Sequence, residues 1–108
     1  MPTAPGSNLD IIELLKLTFE RGASDLHLTV GVPPMLRIDG ELNPLEYDPL
    51  TPADTHRLTY SLMDGRRQKI FEEDMEMDFS FSLSGYGRFR INVFKQRGNV
   101  AAVMRTIP

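Results

Sequence analysis

The 108-residue chain contains no cysteine, which excludes disulfides, thiolate catalysis and cysteine-ligated zinc. It has no excess of positive charge: 12 Lys and Arg stand against 15 Asp and Glu, a net charge of −3. The molecule as a whole therefore does not attract polyanions, no nucleic-acid partner is expected, and any anion site must be local. No apolar run approaches the ~20 residues that span a bilayer, so direct membrane insertion is not expected. The pattern GxxxxGK(S/T) does not occur, and no glycine-rich turn precedes a helix, so the chain carries no phosphate cradle of its own. The two histidines, His27 and His56, would need carboxylates from distant segments to bind a metal, and no metal site is expected. The opening "MPTAPGS" lacks the charged and apolar regions of a signal peptide. Residues 1–7 read as a disordered lead.

What is present fits one globular domain over residues 8–108, with 41% hydrophobic residues. A first helix begins at "SNLD", with Ser7 as N-cap and Asp10 three residues on. Its apolar stripe is wide (Ile11, Ile12, Leu14, Leu15, Leu17, Phe19), and Gly22 stops it. "SDLHLTV" alternates as a strand, and "MLRI" is a second strand closed by Asp39-Gly40, a strong hairpin signal. A third starts at Glu41, and Pro44 marks it as an edge or an early end. Thr51, Pro52 and Asp54 open a second helix, and Asp64 caps a third through "RRQKIFEE". "MEMDFSFSL", "GRFRINVF" and "VAAVMRTI" complete the chain as three strands. The order α-β-β-β-α-α-β-β-β predicts an α+β fold, a mainly antiparallel sheet with helices on one face.

The stretch "GYGRFRINVFKQRG" sets Phe89, Ile91 and Val93 on one face and Arg88, Arg90 and Asn92 on the other. A two-residue turn at Gly98-Asn99 would pair Asn92 with Arg105 and bring Arg105 to the same face. If Leu83 opposes Phe89, Ser82 lies against Arg90, Ser80 against Asn92, and Asp78 is two pairs away. No carboxylate would then fall directly against the arginines. The cluster reads either as a solvated sheet face or, because Phe94 and Val103 share it, as a docking surface for a partner or an anion. Ser24, Asp25 and His27 hold the atoms of a triad, but adjacent strand positions cannot assemble one. No nucleophile with a nearby base is visible, so no catalytic residue is expected in this chain. "FEEDMEMD" reads as a solvated helix end.

The ordered set "GASDLHL" (22–28), "PPMLRIDG" (33–40), "DFSF" (78–81), "GRFRINVF" (87–94) and "RTIP" (105–108) closely resembles the N-terminal domain of the type IV pilus retraction ATPases. These are twitching-motility motors of the type II/IV secretion superfamily. The resemblance implies a PAS-like domain joined to a RecA-like domain that binds ATP and Mg2+. It implies a cytoplasmic homo-hexamer at the inner membrane, with a pilus platform protein as partner. It also implies that Arg88 and Arg105, with Arg90 as a lesser candidate, contact the ATP phosphates once the RecA-like domain is present. The sequence given stops at "RTIP", where the resemblance places the linker. ATP hydrolysis is therefore expected of a longer protein and not of these residues alone. Two alternatives stay open: a stand-alone PAS-like sensor of a small ligand, or a domain of the related pilus assembly and type II secretion ATPases.

Overall fold

The computed structural model describes Pro5 and residues 9–108. Apart from Pro5, the expected lead over residues 1–7 lies outside the described residues, as does Ser7. Helix α1 spans Ile11–Glu20, and its N-cap is Asp10, whose Oδ1 accepts a hydrogen bond from the Ile12 amide at 3.0 Å. The helix thus begins later than a Ser7 cap implied. It ends as expected at Gly22, with φ 64°. There the Gly22 and Ala23 amides bond back to the Phe19 and Thr18 carbonyls, closing the last turn in a Schellman motif.

Strands β1 (Asp25–Leu28), β2 (Met35–Ile38) and β3 (Glu41–Pro44) precede helices α2 (Pro52–Tyr60) and α3 (Gly65–Asp74). Strands β4 (Glu76–Leu83), β5 (Gly87–Gln96) and β6 (Asn99–Ile107) follow. They form one sheet in the order β3-β2-β1-β6-β5-β4, every named pair antiparallel. The α+β class and the element order are as the patterning predicts. Thr51 and Asp54 start α2 with a reciprocal capping box, Thr51 Oγ1 accepting from the Asp54 amide at 3.1 Å and Asp54 Oδ2 from the Thr51 amide at 2.9 Å. Strand β3 is an edge and ends at Pro44.

The helices cover one face of the sheet: α1 contacts β1 and β4, α2 contacts β6, and α3 contacts β4. Leu26, Leu28, Leu36, Phe89, Ile91, Val93 and Met104 are buried on that side with Leu14, Leu15, Leu58 and Phe71 from the helices. Burying these side chains is the main driving force for the fold. Gly87 fits tightly here, because a Cβ at this position would lie 2.9 Å from Cζ of Phe19.

Both late hairpins sit two residues away from the expected registers. The β5–β6 turn is Arg97-Gly98, not Gly98-Asn99. Both residues have positive φ, 53° and 80°, the requirement of the tight type I′ turn that matches strand twist. Arg90 therefore pairs with Arg105, and Asn92 with Val103. In β4–β5, Leu83 opposes Gly87, so Ser80 faces Arg90 and Asp78 faces Asn92. A slip of two keeps every side chain on its expected face.

Candidate functional site

Among the described residues no helix covers the other face of the sheet, and its side chains lie in rows across the strands. One row runs Ser80, Arg90, Arg105, Asp25, Arg37, Leu42 from β4 to β3. The next runs Asp78, Asn92, Val103, His27, Met35, Pro44. Ser82, Arg88 and Ile107 form a shorter row at the opposite end. The structure brings Arg88, Arg90 and Arg105 to one surface, and Phe94 and Val103 share that face.

The absence of a carboxylate beside the arginines is corrected by the registers. Arg90 Nε donates to Asp78 Oδ1 at 2.7 Å, a diagonal contact made possible by the two-residue shift. Arg105 Nε donates to Asp25 Oδ1 at 3.0 Å, and Arg37 Nε stands 3.7 Å from Asp25 Oδ2. The Asp25 side chain is 6% exposed, whereas those of Arg105 and Arg90 are 71% and 61% exposed. Each carboxylate thus grips its arginine at Nε and leaves the outer end of the fork toward solvent. Arg88 is exposed and makes no ion pair among the described residues. A shallow groove of ≈ 310 Å³ lies between Asp78, Arg90, Asn92, Val103 and Arg105.

Burial alone would raise the pKa of the Asp25 carboxyl. The Ser24 hydroxyl, which donates to Oδ2 at 2.8 Å, and the Arg105 guanidinium outweigh it, with His27 adding, and hold the group below its ordinary value. His27 is pushed down by burial and by Arg37 and Arg105, against the opposing pull of Asp25. Its Nε2 is buried without a hydrogen-bond partner among the described residues. Asp25, named in the sequence only among triad atoms that cannot assemble, is the buried anchor of this surface. Its partner Arg105 lies 80 residues away, across a strand pairing that no local turn specifies. Arg37 was likewise not singled out, and only its place across from Asp25 in β2 reveals it. Among the described residues no group of three or more His, Asp or Glu could hold a metal ion, and no helix is long and apolar enough to cross a membrane.

No protein-family profile matches the chain. It is 47% identical over 100 residues to the type IV pilus retraction ATPase PilT of Pseudomonas aeruginosa, a match covering 93% of this chain and 29% of that protein. It is 37% identical to the type IV pilus ATPase PilU of the same organism, over 92% of this chain and 26% of the relative. A crystal structure of the pilus retraction motor PilT with bound ADP superimposes with a TM-score of 0.86 at 50% identity, covering 94% of this chain and 30% of that one. The chain spans less than a third of the length of the relatives it matches.

Proposed function

We propose that this chain, which corresponds to the N-terminal region of the PilT-like secretion ATPases, acts as the non-catalytic module of an ATP-driven motor that retracts type IV pili. The observation that carries the reading is the 47% identity to PilT across 93% of the chain, supported by the ADP bound in the PilT crystal structure. In this reading a RecA-like domain elsewhere in the protein binds ATP and Mg2+. The domain described here packs against RecA-like domains in a homo-hexameric ring at the cytoplasmic face of the inner membrane, where a pilus platform protein is its partner. The open sheet face turns toward the nucleotide, with Arg88, Arg105 and Arg90 as phosphate ligands. In phosphoryl transfer a guanidinium offsets charge on the transferring group.

The arginines divide the work by their anchoring. Arg88, without a carboxylate partner among the described residues, brings an uncompensated positive charge and is the strongest candidate. Asp25 and Asp78 partly neutralise Arg105 and Arg90, but they also fix where those forks lie, which suits positioning. A small-ligand sensor would need a polar internal cavity. The inward positions are instead filled by side chains such as Leu26, Phe89, Ile91 and Met104 at 0% exposure.

A chimera tests this reading. The matching region of P. aeruginosa PilT is replaced by this domain, and ATP turnover is measured. The chimera should hydrolyse ATP. Arg88→Ala should then lower kcat by about 10³, the lower bound for an arginine finger. Arg105→Ala should act more on KM and Arg90→Ala least. If Arg88→Ala keeps full kcat at saturating ATP and Arg105→Ala changes neither kcat nor KM, the phosphate role is wrong.

A further inference from the structure

Helix α3 (Gly65–Asp74) carries its charges against its own dipole. The N-terminal end of a helix favours acids and the C-terminal end favours bases. Here the first turn of the helix holds no acid and the last turn holds no base. Instead Arg66, Arg67 and Lys69 occupy the N-terminal half, and Glu72, Glu73 and Asp74 the C-terminal half. Neighbours inside the molecule relieve only part of this. Arg67 Nη1 lies 3.5 Å from Asp64, and Glu72 accepts from the Tyr60 hydroxyl at 3.0 Å. Arg66, Lys69, Glu73 and Asp74 are exposed and make no ion pair among the described residues.

The free charges share a face. Phe71 is the buried residue of α3. At 100° per residue, Arg66, Lys69 and Glu73 lie on the stripe opposite Phe71, with half-buried Ile70 beside them. The stripe is basic at one end and acidic at the other, and such a stripe complements itself when a second copy is laid alongside in the opposite direction.

We propose that this stripe of α3 is an isologous contact between two copies of the chain, one that lies outside any six-membered ring, whose neighbours meet heterologously. About a two-fold axis near residues 69 and 70, Arg66 of one copy meets Glu73 of the other, and the reverse pair forms by symmetry. The two Ile70 side chains lie next to each other near the centre. Each charge that opposes its own helix dipole then sits beside the favourable end of the neighbouring helix. A ten-residue helix is about 15 Å long, too short for a standard-sized interface, so the association is weak and salt-dependent. It lies on a different surface from the arginine face and does not depend on the nucleotide reading.

Sedimentation equilibrium on the 108-residue chain in low salt tests the proposal. A reversible dimer is expected, with a dissociation constant that rises at least tenfold in high salt. Arg66→Glu alone and Glu73→Arg alone should each weaken it at least tenfold. The double variant Arg66→Glu/Glu73→Arg should return it to within about threefold of the parent, because the swap restores self-complementarity. Because the chain has no cysteine, Ile70→Cys gives a single thiol. Under oxidation it should link two chains faster than Asp39→Cys, placed in the remote β2–β3 turn. A monomer at all concentrations up to about 1 mM, a dimer indifferent to the single reversals, or a double variant as weak as the single ones overturns the proposal.

Discussion

Asp25→Asn removes the charge that anchors the open sheet face while keeping the side chain's shape. The wild-type carboxylate accepts from Ser24 at 2.8 Å and from Arg105 at 3.0 Å, with Arg37 at 3.7 Å. Hydrogen bonds to a charged group are each worth about 1.5–3 kcal/mol, but two considerations reduce the loss. Asparagine Oδ1 still accepts from Ser24, and the freed Arg105 and Arg37 side chains are 71% and 36% exposed, so they recover water and their pairing counts as largely superficial. The neutral amide also avoids the cost of burying a charge. The net expectation is a destabilisation of about 1–2 kcal/mol at neutral pH. With a urea m-value of about 1.5 kcal/mol per M, the midpoint falls by about 1 M. The pH dependence gives the sharper test. The folded carboxyl sits below its ordinary value of 3.8, so the folded state binds this proton less readily than the unfolded chain. The stabilisation is complete above the unfolded value and drains away as pH falls through the lower folded value. The gap between wild type and Asp25→Asn should thus be widest near neutrality and shrink below about pH 4. A gap that is absent at neutral pH, or that stays constant into acid, would show that Asp25 is not an ionised anchor.

His27→Leu should stabilise the domain by about 1 kcal/mol at neutral pH, because it removes a buried Nε2 that has no partner among the described residues. The folded state also resists protonating His27. Wild-type stability therefore declines as pH falls below the ordinary value of 6.5, and His27→Leu should flatten that slope. Thermal melts across this range decide both points, and an unchanged slope counts against burial of the ring. Gly87→Ala pushes a Cβ to 2.9 Å from the Phe19 ring and should cost about 1–3 kcal/mol by overpacking. Combined with Phe19→Ala, it should cost clearly less than the sum of the single changes; strict additivity in urea titrations would mean that the two sites do not touch.

The faces of the sheet were legible in the sequence because the strand period is two. Phe89, Ile91 and Val93 point to the core and Arg88, Arg90 and Asn92 away from it, whatever the register. The hairpin registers were not legible. Glycine at 98 marks the turn, but the second left-handed position falls on Arg97, a residue type that gives no sign of it. That ambiguity hid the Arg90–Asp78 contact. The Asp25–Arg105 pair was hidden more deeply, since β1 and β6 meet only when the chain's two ends are folded together. At the helix starts, Thr51 and Asp54 showed themselves because both halves of the capping box are local. For α1, Ser7 and Asp10 are both acceptable caps by type, so residue type alone does not choose between them, and the helix starts at Ile11 with Asp10 as its cap.

Strand β6 holds a position with a consequence for how the molecule is made. It is the last of the sheet's strands in sequence, yet it lies inside the sheet, between β1 and β5. Until residues 99–107 have left the ribosome, β3-β2-β1 and β5-β4 are two separate ribbons, each with an unsatisfied edge. At about 5–20 residues per second, the β3-β2-β1 ribbon, complete at Pro44, waits about 3–13 s for the closing strand. Cooperative folding of this domain therefore waits until β6 has emerged, and the nascent chain's exposed edges during that interval are where chaperone capture or misassociation would strike.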